Sequence, residues 1–181
     1  MAYTLQQLSD FEDIRTLKHR YLHAIDTADI DTLRTLFVED ARIDFRGGLY
    51  RLALEGREEI LKFFVNGFHS GMIAAHNGHA PIITLTGDNE ATGKWYMSDI
   101  VYQLETDRSC LSGAAFYQDT YRREGDQWKI ATSEYDRLFE SVAPINPQMM
   151  FSAHYLATHG RKPEEREDTS HQMVWREMPE A

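Results

Sequence analysis

The stretch MIAAHNGHAPIITLTG, Met72 to Gly87, is where this chain changes character. Upstream, apolar residues recur at helical steps. From Met72 onward they fall in long β-branched and aromatic runs, and Gly87-Asp88-Asn89, Thr106-Asp107-Arg108 and Glu124-Gly125-Asp126 break those runs as turns do. After the first run come NEATGKWYMSDIVYQLE, SCLSGAAFYQDTYRREG and DQWKIATSEYDRLFE, which predict a meander of consecutive antiparallel strands. Helices first and a meander afterwards is an α+β pattern rather than alternating βαβ. Strands this long, apolar on one face, are expected to curl around a helix. The expected architecture is therefore a cone-shaped α+β barrel, a curved antiparallel sheet wrapped around N-terminal helices, with its mouth near the end of the first helix.

Working outward, Leu8, Phe11, Ile14, Leu17, Tyr21, Leu22 and Ile25 repeat at three- and four-residue steps and predict that first helix. DTLRTLFVED, capped by Asp29 or Asp31, predicts a second, with Leu33, Leu36 and Phe37 inward. ARIDF alternates like a strand, GGLYRLALEG reads as irregular, and GREEILKFFVNGFHSG is a third helix with acids in its first turn. After Ser141 come Pro144, Pro147 and Pro163, a charged middle and scattered apolar residues. Residues 1–140 are thus expected to form the barrel and residues 141–181 an extension, as a lid or an inter-subunit arm.

The net charge of −10, with Lys and Arg scattered, argues against a nucleic-acid partner. The lone Cys110 excludes an internal disulfide and a Cys-based zinc knuckle. No apolar run reaches the roughly 18–20 residues that span a bilayer, and MAYTLQQLSDFEDI lacks the features of a signal peptide. A cytoplasmic protein with no membrane partner is expected.

Within this frame several residues carry chemistry. Tyr21 sits mid-stripe on the first helix, as a core aromatic or as a phenol aimed inward. Asp26 lies in that helix's last turn, where a carboxylate opposes the macrodipole; it is a turn-former or a functional acid. His76 and His79 are three apart, so on one strand they face opposite sides, unless the strand begins only near Ala80. That geometry disfavours a His-x-x-His metal site and favours one inward histidine paired with an acid. Alternation groups Trp95, Met97 and Asp99 on the apolar side of their strand, and a buried carboxylate must find a partner or take up a proton. Ser133, Tyr135 and Arg137 share a face of the last strand and could line a pocket, Arg137 being alternatively a salt-bridge partner or a sheet-surface charge.

IRTLKHRYLHAIDTADIDTLRTLFVEDARIDF, GREEILKFF, HNGHAPII, ATGKWYM and YRREGDQWKI together resemble the SnoaL-like branch of the nuclear transport factor two-like superfamily, over about Asp10 to Phe139. The branch includes scytalone dehydratase, bile-acid dehydratase and hexachlorocyclohexane dehydrochlorinase type enzymes. The resemblance implies an Asp26–His76 pair, with Tyr21 and Asp99 at the places of the bile-acid dehydratase's tyrosine and second acid. Two positions depart from the pattern. Ser133 stands where many relatives have arginine, with Arg137 four residues on. Phe45 stands where the ketosteroid isomerase base would be, while Asp44 faces the other way.

The expectation is a cofactor-independent, metal-free lyase of dehydratase type, acting on a small hydrophobic ring compound such as a steroid, polyketide or aromatic. Tyr21, Asp26, His76 and Asp99 would be catalytic, Asp99 protonating the leaving hydroxyl if burial keeps it protonated. Trp95, Met97, His79, Ser133, Tyr135 and Arg137 would bind substrate. A homo-oligomer, dimer or trimer, is expected from the resemblance. The alternatives are an isomerase or cyclase using the same pair, and a non-catalytic ligand-binding or dimerisation domain.

Overall fold

Helix α1 (Leu5–Thr27) opens on a capping box: Gln7 N–H donates to Thr4 Oγ1 at 3.1 Å and Thr4 N–H to Gln7 Oε1 at 2.9 Å. It stops at Ala28, whose left-handed backbone (φ 53°) lets Asp29 N–H return to Ala24 O. Asp29, whose carboxylate accepts from Thr32 N–H, then caps α2 (Ile30–Leu36). This computed structural model describes residues 2–176.

The second helix is shorter than the periodicity predicts. Phe37 already has extended backbone and opens β1 (Phe37–Arg46), because it pairs in parallel with the last long strand. GGLYRLALEG, expected to be irregular, forms β2 (Tyr50–Glu55) antiparallel to β1, from Arg42↔Glu55 to Arg46↔Arg51. Its pattern is masked in the sequence because only Leu52 of the strand is fully buried. Helix α3 (Arg57–Gly67) follows, then the meander β3 (Met72–Leu85), β4 (Glu90–Gln103), β5 (Ser109–Glu124) and β6 (Gln127–Pro144). One strand holds both histidines of the opening stretch: β3 runs through Ala80 and Pro81, with a register shift between His79 and Ile82 that absorbs Ala80's positive φ.

β6 carries past Ser141 before the chain turns back. Short helix α4 (Leu156–His159), 3₁₀ turns at Pro163–Glu165 and Ser170–Gln172, and strand β7 (Met173–Trp175) complete the described chain. β7 pairs with β2, Tyr50 opposite Trp175, so the sheet order is β3-β4-β5-β6-β1-β2-β7. The extension is clamped to the body by Asn66, whose side-chain oxygen accepts from Arg161 Nη1 and from Glu167 N–H. Arg166 pairs with Glu105 at 2.6 Å.

The concave face of the open sheet holds α1. Ile14, Leu17, Tyr21, Leu22 and Ile25 meet Phe37, Ile43, Trp95, Met97 and Ile130 in one core. Gly78 makes the approach close: a Cβ there would lie 2.5 Å from Leu22 Cδ1. That approach sets the end of α1 against the start of β3. Among the described residues no helix is long and apolar enough to cross a membrane.

Candidate active site

α1, α3, the concave sheet and the returning extension enclose a cavity of about 730 Å³. Its walls are mostly aromatic and aliphatic, including Phe45, Phe64, Phe68, Met97 and Trp175, and a few polar groups interrupt them. Asp26, at the end of α1, takes two hydrogen bonds from one residue. His76 N–H donates to Oδ2 at 2.8 Å, and the ring Nδ1 lies 2.6 Å from Oδ1. A carboxylate so placed keeps the ring proton on Nδ1 and leaves Nε2 as the lone-pair nitrogen. Nε2 lies 3.9 Å from Asp99 Oδ2, and His76 lines the cavity.

Asp99 is opposite His76 in the β3–β4 register. Both its oxygens are taken by Arg137 of β6, at 2.6 and 2.8 Å. Strand β5 lies between the two, and the side chain crosses it at Gly113, where a Cβ would come 3.1 Å from Arg137 Nη1. Burial is the largest influence and works against the Arg137 charge, but the Asp99 hydrogen bonds, with Tyr50, Tyr135 and the Asp99 charge, together outweigh it and hold the guanidinium above its ordinary pKa. The same guanidinium donates to Tyr50 Oη at 3.3 Å and has Nε 3.1 Å from Glu140 Oε2. Tyr50 and Tyr135 share a hydroxyl–hydroxyl hydrogen bond.

Tyr21 is fully buried in the cavity wall, with the Tyr117 hydroxyl beside its own. Burial pushes its pKa far up, so it is a donor and not a base.

The SnoaL-like domain profile matches residues 6–134. The chain belongs to the SnoaL-like family. Solved structures agree on the fold. A type 2 hexachlorocyclohexane dehydrochlorinase superposes with a TM-score of 0.70 at 17% identity, covering 81% of this chain and 99% of its own. A protein from Novosphingobium aromaticivorans assigned as a scytalone dehydratase gives 0.65 at 19%, covering 77% and 91%. Another from the same organism, assigned as an aromatic ring hydroxylase, gives 0.67 at 28%, covering 75% and 94%. The reactions named for these three differ, so shared architecture does not choose among them.

In this SnoaL-like protein the residues expected from sequence divide into two groups. Tyr21, His76, Met97, Asp99, Tyr135 and Arg137 line one cavity, with Asp26 directly behind His76. His79, Trp95 and Ser133 do not. His79 is exposed on the outer face, its Nδ1 3.1 Å from Tyr96 O, because strand alternation turns it away from His76. Trp95 is core, its indole N–H donating to Tyr121 Oη at 2.9 Å. Ser133 is buried below the cavity and donates to Asp119 at 2.8 Å. Of the two outcomes open to a buried carboxylate, a partner or a proton, the structure shows Asp99 with a partner, both oxygens accepting from Arg137.

Sequence reasoning missed Lys18, Asp119, Tyr117, Tyr50, His69 and Glu140. Lys18 has no exposed side-chain surface, lies 2.8 Å from Asp119, and sits 3.4 Å from the centre of the Tyr117 ring. Burial lowers its pKa and Asp119 partly restores it. The signal was present: Lys18 falls in the Ile14–Tyr21–Ile25 stripe, and Asp119 alternates with Tyr117 and Tyr121. A charge on an apolar face marked Asp99 and would have marked these two.

Proposed function

We propose that this protein is a lyase that removes water, or an equivalent leaving group, from a hydrophobic ring compound seated in the cavity. The observation that carries the reading is the Asp26–His76 pair at 2.6 Å, with the imidazole on the wall of the same cavity that Tyr21 lines. Asp26 fixes the tautomer and stabilises the imidazolium that forms when Nε2 takes a carbon-bound proton next to a carbonyl. The Asp99 carboxylate, 3.9 Å from Nε2, adds to that stabilisation. Tyr21 donates to the developing enolate oxygen. With Asp99 committed to Arg137, the imidazolium itself returns the proton to the leaving oxygen, so one histidine serves as base and then acid. No step in this scheme calls for a cofactor.

The engagement of Asp99 also favours a second reading, an isomerase or cyclase that moves a proton without losing a group. The two separate in deuterium oxide. Label entering a substrate carbon without loss of water supports the isomerase, and coupled loss of water supports the lyase. For either, His76→Ala is expected to lower turnover of a confirmed substrate at least about a hundredfold. A change below about threefold would sink both.

The extension bears on access. Thr169, Ser170, Met173 and Trp175 form part of the cavity wall, and the Trp175 ring packs edge-on at 6.1 Å from Tyr50. In this reading residues 145–176 are a lid laid over the mouth by the chain's own end, and the site works in the cytoplasm within a homo-oligomer.

A further inference from the structure

The charges around the cavity do not balance. Among the described residues the lining includes three carboxylates, Asp99, Asp107 and Glu140, and one guanidinium, Arg137. The Arg137 charge is matched within the protein: its Nη1 and Nη2 donate to Asp99, Nη2 also to Tyr50, and its Nε lies 3.1 Å from the Glu140 carboxylate. The His76–Asp26 pair adds no net positive charge in either state: neutral ring with carboxylate is negative, and imidazolium with carboxylate is neutral.

His69 is the remaining basic group on the wall, and it is locked as a neutral donor. Its Nδ1 accepts from Gly71 N–H at 3.0 Å and faces Arg166 Nη1 at 3.0 Å. Two donors on one nitrogen place the ring proton on Nε2. Burial, with Arg166 beside the ring, also holds the His69 pKa below the ordinary histidine value. The wall therefore offers neutral hydrogen-bond donors, from His69 and the Tyr50–Tyr135 pair, inside a negative field.

We infer that the cavity selects an electrically neutral ring compound whose carbonyl or hydroxyl oxygens accept hydrogen bonds, and rejects carboxylates, sulfonates and phosphates of the same shape. An anion entering would lose its hydration, find its one guanidinium already matched by Asp99 and Glu140, and pass Asp107 at the rim, so that no positive charge repays the lost hydration. A neutral ketone or phenol loses little and gains donors. This rests on the cavity being the substrate site, but its test reads occupancy rather than turnover, so the two ideas fail separately.

The experiment is fluorescence titration, at low ionic strength and neutral pH, with two probes of one skeleton: N-phenylnaphthylamine, which is neutral, and anilinonaphthalene sulfonate, which is anionic. The neutral probe is expected to bind at least about tenfold more tightly. Glu140→Gln keeps the shape and removes one negative charge beside Arg137, and it is expected to narrow that ratio by about tenfold. Asp107→Asn, on the exposed rim, is the second variant in case Glu140→Gln disturbs the core. There a narrowing of about two- to threefold is expected, consistent with stronger screening at the surface. Equal affinities in the unmodified protein, tighter binding of the sulfonate, binding of neither probe, or a ratio indifferent to both substitutions would overturn the inference.

Discussion

Raising the pH above about 10 should unfold this protein by way of its buried phenols. Tyr21, Tyr117, Tyr121 and Tyr135 all lie at 6% exposure or less, and burial raises the pKa of each. In the unfolded chain they ionise near the ordinary value of about 10. Above that value the unfolded state binds fewer protons than the folded state, so stability falls as pH rises. One unit above it, each tyrosine removes about 1.4 kcal/mol, and the four together remove about 6 kcal/mol. That is comparable with the whole stability of a typical domain, about 5–15 kcal/mol. Urea melts followed by far-ultraviolet circular dichroism at successive pH values should show this loss beginning near pH 10, with tyrosinate absorbance rising in two stages, exposed tyrosines such as Tyr3 and Tyr155 first and the four buried ones only as the fold is lost. Tyr21→Phe should return about 1.4 kcal/mol of it. Stability that stays flat to pH 11, or a folded protein in which all nine tyrosines ionise in one normal step, would refute the reasoning, and with it the role of Tyr21 as a permanent donor.

Other outcomes follow from the same geometry. Asp26→Asn keeps the acceptor for His76 N–H but turns an amide N–H toward Nδ1; the ring proton moves to Nε2, and turnover should fall by about 10²–10⁴-fold with the fold intact by circular dichroism. Lys18→Met strands the buried Asp119 and should cost about 3–5 kcal/mol in urea melts, most of which Lys18→Met with Asp119→Asn should restore. Because the folded pKa of Lys18 lies below 10.5, the unfolded chain holds the extra proton between those two values, and stability gains from Lys18 as pH rises through that window; Lys18→Met should abolish this gain. Deleting residues 169–181 removes β7 and part of the cavity wall; the remaining sheet should still give cooperative melts, while affinity for N-phenylnaphthylamine should drop about tenfold.

Much of this could be read before any coordinates. The helical stripe from Ile14 to Ile25, the four strands of the meander and the inward side of Trp95, Met97 and Asp99 follow from periodicities of 3.6 and 2, which act over a few residues. β2 did not follow, because a half-exposed strand shows little alternation, and its order comes from pairing with β1 and β7. The true length of α2 was hidden for a similar reason: the partner of Phe37 is Ile130, far along the chain.

At the site, local pattern was enough to show that His76 and His79 part company, and to mark Asp99 as a charge on a buried face. It could not say what Asp99 does, because Arg137 reaches it only across the gap left by Gly113 on an intervening strand. Nor could it separate Ser133 from Tyr135 and Arg137, which share a face but lie at different depths of the cone. Side-chain direction is a property of neighbouring residues, so the chain dictates it alone. Charge state, depth and partnership depend on groups brought together from distant strands, and only the folded sheet decides them.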